Sequence, residues 1–270
     1  MDEQYKTEGY RLMRAALPTG QVAALAALID GSIPGYGGPI RRQDGTPAPN
    51  LFHAGTRLVK NSILNAHVAM PDDLKPVHTA IRALLTSPQM FESLHSLDGA
   101  EHYSIHQTII FISAQTTVPH IDSWSMDTAP HGYAHTVWIP LEDVDYLSGL
   151  PAVSPWPIGK FVPEAELGLP DGDFSFRERH DRYCDALTVR LQKGSADVRT
   201  LFMDKGDMMV WGSLTPHFTL PSTPSPRRRL SLQVLIRPTH HRWGNYVNQP
   251  AEWTPDKAEQ VTDRFAFIEN

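Results

Sequence analysis

Residues 227–236 read RRRLSLQVLI. In an extended chain alternate side chains share a face, so Leu230, Leu232, Val234 and Ile236 stand together while Arg227, Arg229, Ser231 and Gln233 stand opposite. The apolar face has to be buried. The other face looks into a space that accepts a guanidinium and a hydroxyl. Arg228 has the parity of the leucines and falls outside that inward group. Working outward, HQTIIFI (106–112), HTVWIPL (135–141) and RTLFMDKGDMMVWG (199–212) have the same character. They are short runs of β-branched and aromatic residues bounded by Pro, Gly, Ser or Asp, which reads as strands. Several such strands without helices between them predict a sandwich or a small barrel.

The first hundred residues are of another kind. TGQVAALAALIDGS (19–32) has apolar residues at helical spacing, a Thr start signal and a Gly stop after Asp30. MPDDLKPVHTAIRALLTSP (70–88) places Pro and two Asp at a first turn and aligns Leu74, Val77, Ile81 and Leu84 on one stripe. A third helix is expected around Met90 to Leu97. The connection PGYGGPIRRQDGTPAPN (34–50) is long enough to border a site. Residues 148–200 interrupt the strand pattern, and 148–182 in particular is too long for a turn, so it reads as an excursion that covers a pocket. With no repeat and no linker, the expectation is one domain over 1–270. It has a helix-rich part over 1–102 and a strand-rich core over 103–240.

Composition narrows the function. A net charge of −6 over 270 residues, with one Arg cluster at 227–229, argues against a nucleic-acid partner. The single cysteine, Cys184, excludes a disulfide framework and a thiolate zinc site. The first residues lack an apolar core of signal-peptide type, and no stretch approaches the ~20 apolar residues of a membrane span. A cytoplasmic protein with no membrane partner is expected.

TTVPHIDSW (116–124) contains the chain's one His-x-acidic pair, His120 and Asp122. With 13 His and 30 acidic residues, a pair or two of this kind arises by chance. The pair gains meaning from KGDMMVWGSLTPHFTL (205–220), which reads as a turn, a strand, a short loop and then His217, followed closely by the arginine strand. Two imidazoles and one carboxylate on one face of a metal are the ligand set of oxygen-activating Fe(II) enzymes. His-x-Asp on an extended segment can turn both side chains to one ion, and a basic strand nearby suits a dicarboxylate.

Taken together, His120-x-Asp122, KGDMMVWGSLTPH and SPRRRLSLQ resemble the phytanoyl-CoA hydroxylase-like branch of the Fe(II)/2-oxoglutarate-dependent dioxygenases. The resemblance spans roughly 103–240 and is compatible with the helical start. It implies a double-stranded β-helix, the jelly-roll or cupin-like fold, mainly β with flanking α-helices. It also implies Fe(II) on His120, Asp122 and His217, with 2-oxoglutarate and O2 as co-substrates. The implied reaction oxidises a C–H bond of a small molecule, hydroxylation by default, with release of succinate and CO2. A carboxylate at Asp122 argues against halogenation. The family's Arg-x-x-apolar spacing points to Arg227 as the 2-oxoglutarate partner, and the Arg-x-Ser pattern of the wider superfamily points to Arg229 with Ser231. Arg227 ranks first. Gln107 matches a position where the family places an amide near the co-substrate. The SGLPAVSPWPIGKF segment (148–161) lacks the histidine that the family often carries there, so no substrate contact transfers.

Other residues have plainer readings. His131 and His135 suit surface or packing roles, Trp124 and Trp138 suit a core, His180, His240 and His241 suit the surface, and Cys184 suits a buried helix position. Two rival functions stand beside the oxygenase: a zinc-dependent hydrolase, for which no His-Glu-x-x-His helix exists, and a barrel that binds a small ligand without catalysis.

Overall fold

The computed structural model describes residues 1–160, 164–169, 172–194, 197–220, 227–244 and 257–269. Two sheets carry the fold. The larger has eight strands, with Arg228–Pro238 paired between His135–Pro140 and Tyr103–Ser113. On one side it continues through Met208–Gly212 to Tyr10–Met13 at the edge, and on the other through Phe265–Glu269 to Lys257–Gln260. The smaller sheet runs in the order Arg199–Thr200, Pro151–Val153, His217–Thr219, Thr117–His120. Side chains from both sheets line one cavity, which therefore lies between them. This is the mainly β jelly-roll arrangement expected from the sequence, without a closed barrel among the described strands.

The alternation read in residues 227–236 explains the layering. Leu230, Leu232, Val234 and Ile236 are buried, and with Ile105, Ile110, Ile112, Val137, Ile139, Met208 and Val210 they make the outer apolar face of the large sheet. Helices Thr19–Ser32, Lys75–Leu85 and Pro88–Asp98 cover that face with Val22, Leu25, Ile29, Leu74, Val77, Ile81, Leu84, Met90 and Leu94. The stripe expected at 74–84 is thus the buried one. Two boundaries differ from expectation. Pro18 rather than Thr19 is the helix cap, and Gly31 does not end the helix, which runs on to Ser32.

Among the strands that escaped the sequence reading, two extend the large sheet. Tyr10–Met13 adds to the edge of Met208–Gly212, and Phe265–Glu269 lies parallel to the start of Tyr103–Ser113. The excursion does contain structure: helix Phe176–Gln192 starts on a capping box between Ser175 and Glu178. It packs Tyr183 and Leu187 on Ile121 and Trp124, behind the metal-candidate segment, and Cys184 is buried on it. Residues 161–163, 170–171 and 195–196 of that excursion, like Ser225 and Pro226 of the arginine motif, lie outside the described residues.

A polar network ties the helical layer to the sheet. The Asp98 carboxylate, 7% exposed, accepts from the Tyr103 hydroxyl (2.5 Å), the Ala100 amide (2.8 Å) and His135 Nε2 (2.7 Å). His135 Nδ1 shares a hydrogen bond with the Tyr5 hydroxyl at 2.6 Å. His135 therefore has the packing role foreseen for it. Burial raises the Asp98 pKa, but the His135 contact and the hydroxyl and amide donors outweigh it, leaving the carboxyl below its ordinary value. Its contribution to stability is present above the unfolded-state pKa and fades as pH falls through the folded one. Asp98→Ala leaves buried donors unpaired and is expected to cost about 3 kcal/mol at neutral pH. Chemical denaturation measures the loss, which should shrink on acidification.

Candidate metal centre and adjoining cavity

The candidate ligands are brought together around one strand pair. His217 stands directly opposite His120 in the antiparallel ladder between His217–Thr219 and Thr117–His120. Their rings lie 4.3 Å apart, centre to centre. Asp122 follows in a short 3-10 turn, Asp122–Trp124, which brings its carboxylate back toward both rings. Oδ1 of Asp122 is 3.9 Å from His120 Nε2 and 3.6 Å from His217 Nε2. One ligand atom from each of the three residues lies within 4.8 Å of the others, close enough to share one ion.

The tautomers are set by backbone. His120 Nδ1 lies 2.8 Å from the Val118 carbonyl and His217 Nδ1 lies 3.0 Å from the Thr215 carbonyl. A carbonyl only accepts, so each Nδ1 carries a hydrogen, and Nε2 is the nitrogen that a neutral ring offers to a metal. Burial drives the His217 pKa down to about 4 against the pull of Asp122, which keeps its imidazole neutral. Burial pushes Asp122 up, and His217, His120, Thr136 and Trp211 more than reverse that, so it sits below the usual carboxylate range. Two imidazoles that present Nε2 and an ionised carboxylate form the donor set that suits Fe(II). Gly206 precedes one of the strands that wall the site: its φ is +97°, and a Cβ there would lie 3.2 Å from the Leu17 carbonyl oxygen. The turn before the Met208–Gly212 strand thus needs glycine.

From the two imidazoles a cavity of about 110 Å³ extends between the sheets. Phe111, Trp138, Met209 and Trp211 wall it, Gln43, Gln115, Thr117 and Thr219 rim it, and Arg229 and Gln233 close it. Arg229 is 4% exposed. Its Nη1 donates to the Gly149 carbonyl at 2.7 Å and its Nη2 to the Gln115 carbonyl at 3.2 Å, while Nε has no hydrogen-bond partner among the described residues. The Oγ of Ser231, two residues on, is buried behind the cavity lining and also lacks a partner among the described residues. Burial pulls the Arg229 pKa down to about 10. A buried guanidinium without a carboxylate beside it is costly, and a ligand carboxylate would relieve that cost through paired hydrogen bonds. These orphaned donors fit 2-oxoglutarate.

The structure places the two candidate arginines differently: Arg229 lines the cavity. Arg227 is exposed and precedes the strand, which begins at Arg228, and it does not line the cavity. Period-two alternation correctly paired it with Arg229, but the inward face only exists where the ladder holds the chain. Arg228, excluded by parity, turns outward to ion pairs with Asp30 (2.9 Å) and Glu142 (3.1 Å). Gln107 lies opposite Leu235 on the inner face of the sheet, but not in the cavity wall. Trp138 lines the cavity, whereas Trp124 packs under the excursion helix. His131 binds the buried Asp127 at 2.9 Å, as a packing residue. Sequence reasoning missed Gln43, Gln115, Thr136 and Trp211, whose roles come from cross-strand neighbours.

The comparisons follow this geometry. The family model for phytanoyl-CoA dioxygenase (PhyH) matches residues 5–229. A search of curated protein sequences finds no match. Among solved structures, the non-heme alpha-ketoglutarate-dependent epimerase SnoN from nogalamycin biosynthesis is similar at 15% identity and TM-score 0.58, covering 98% of this chain and 95% of that one. The carbocyclase SnoK from the same biosynthesis is similar at 17% identity and TM-score 0.59, with 90% and 85% covered. EctD from S. alaskensis with bound Fe is similar at 16% identity and TM-score 0.56, with 92% and 79% covered. These likenesses are of fold. The match over 5–229 settles descent: the chain belongs to the phytanoyl-CoA dioxygenase (PhyH) family of iron- and 2-oxoglutarate-dependent oxygenases.

Proposed function

We propose that His120, Asp122 and His217 hold the Fe(II) of this oxygenase, and that Arg229 with Ser231 takes the far carboxylate of 2-oxoglutarate. The observation that carries the reading is the single cavity that joins two converging imidazoles to a buried guanidinium lacking a carboxylate partner among the described residues. When bound, iron and 2-oxoglutarate supply an oxidant, with the co-substrate leaving as succinate and CO2 while O2 oxidises a C–H bond of the substrate.

The chain's own residues do the rest. His120 and His217 offer lone pairs at Nε2 because the Val118 and Thr215 carbonyls hold their other protons. Arg229 and Ser231 fix the co-substrate's length and direction in the cavity by its distal end. Phe111, Trp138, Met209 and Trp211 exclude water from the reacting centre. Gln43, Gln115 and Thr117 at the rim meet a small-molecule substrate with neutral hydrogen-bonding groups. A zinc hydrolase would use the same three ligands but would leave Arg229 and Ser231 without purpose.

Arg229→Ala should raise the 2-oxoglutarate concentration needed for half-maximal turnover by roughly two orders of magnitude, since losing one partner of a buried charge pair costs about 2–5 kcal/mol. Arg227→Ala should change it less than threefold. Equal effects would refute the assignment, and a larger effect of Arg227→Ala would reverse it. With iron, 2-oxoglutarate and ascorbate the protein should release succinate, measured by mass spectrometry, while His120→Ala and His217→Ala release none. Undiminished succinate in either variant would refute the ligand set.

A further inference from the structure

The carboxylate of Asp122 is not symmetric in its surroundings. Its Oδ1 faces the two imidazoles. Its Oδ2 accepts from the Thr136 hydroxyl at 2.5 Å and from the Trp211 indole N–H at 2.9 Å. Thr136 and Trp211 are direct partners in the ladder between His135–Pro140 and Met208–Gly212, so the pleat presents them side by side on the inner face. Both are buried, at 1% and 3% exposure, and the Trp211 ring also lies 4.6 Å from the His217 ring. The two strands thus act on two of the three candidate ligands at once.

From this we infer that Trp211, with Thr136, is a positioning residue that confines Asp122 to a single donor oxygen and decides which one. The inference rests on the metal-site reading above. An octahedral ion held by two imidazoles and one carboxylate oxygen keeps three positions, two for a chelating co-substrate and one for oxygen. If both carboxylate oxygens bound, the last of these would be filled. Occupation of Oδ2 by two donors prevents that, and it fixes the carboxylate plane before a metal arrives. Partners of this kind typically change metal affinity by about 10–100-fold.

The indole makes the device directional. An indole N–H can only donate, whereas a hydroxyl can donate or accept. If Asp122 is replaced by Asn, the side-chain amide has to turn its oxygen toward Trp211. Its NH2 group then faces the ion, and NH2 is no ligand. Removing the indole N–H frees the amide to rotate and offer its oxygen to the metal, with Thr136 accepting from the NH2. Trp211→Phe should therefore act with opposite sign in the two backgrounds.

The test is binding of Mn(II) to the metal-free protein, followed by electron paramagnetic resonance of the unbound ion, with thermal unfolding of each variant as a check on folding. Wild type should bind one Mn(II), and His217→Ala should abolish it. Trp211→Phe, which keeps an aromatic ring in place, should weaken binding by about 10–100-fold. Asp122→Asn should bind very weakly, and Asp122→Asn with Trp211→Phe should bind at least tenfold more tightly than Asp122→Asn alone. Should Trp211→Phe fail to fold, Thr136→Val carries the test: it should weaken binding in wild type and give no recovery with Asp122→Asn, where the indole still dictates orientation. Equal Mn(II) affinity of wild type and both single variants, or the same direction of change in both backgrounds, would overturn the positioning role while leaving the metal site intact. Failure of wild type to bind Mn(II), or binding untouched by His217→Ala, would overturn the metal site itself and the inference with it.

Discussion

Two short strands, Thr117–His120 and His217–Thr219, pair so that one histidine stands directly across from another nearly a hundred residues away in sequence. That ladder contact is what the site depends on. A slip of one residue would turn His217 to the opposite face of the sheet and leave no set of three ligands. The smaller sheet is only four strands of two to four residues, too slight to hold such a register alone. Support comes from outside. The excursion helix presses Tyr183 and Leu187 on Ile121 and Trp124, which flank Asp122, and Ser123 donates to the buried Asp127 at 2.5 Å. Functional side chains on short strands are thereby held by apolar packing behind them and by the large sheet in front.

The large sheet separates two tasks along one strand. On the outer face of Arg228–Pro238 the branched residues meet three helices, and burial of that face supplies the main driving force for the fold. On the inner face the same strand presents Arg229, Ser231 and Gln233. A buried guanidinium without an acid is destabilising in isolation, and the co-substrate carboxylate proposed above would offset that cost. Stability is placed on one side of the sheet and chemistry on the other.

How much of this the sequence revealed follows from which signals are local. Strand alternation in 227–236 identified the apolar face correctly because a period of two needs no knowledge of neighbours. His120, Asp122 and His217 could be picked out by type and order, and they do converge. Arg227 and Arg229 are told apart by where the ladder begins, which pairing with Tyr103–Ser113 decides and alternation alone does not contain. Tyr10–Met13 at one edge and Phe265–Glu269 next to the other were invisible because these outer places are filled by whatever chain the topology delivers there. Thr136 and Trp211 carried no signal of their own. Each reads as an ordinary strand residue until the ladder sets them side by side above Asp122. The helix boundaries at Pro18 and Ser32 show the opposite limit, where local start and stop residues yield to packing of Ile29 and Ile33 into the core.

The central claim is that one cavity holds a ferrous ion and a chelating 2-oxo acid together. The most direct measurement is anaerobic absorption spectroscopy of the purified protein on stepwise addition of Fe(II) and then 2-oxoglutarate. The account predicts a visible metal-to-ligand charge-transfer band that appears only when both are present and saturates at one equivalent of iron. Saturating additions that leave the visible spectrum unchanged would contradict it.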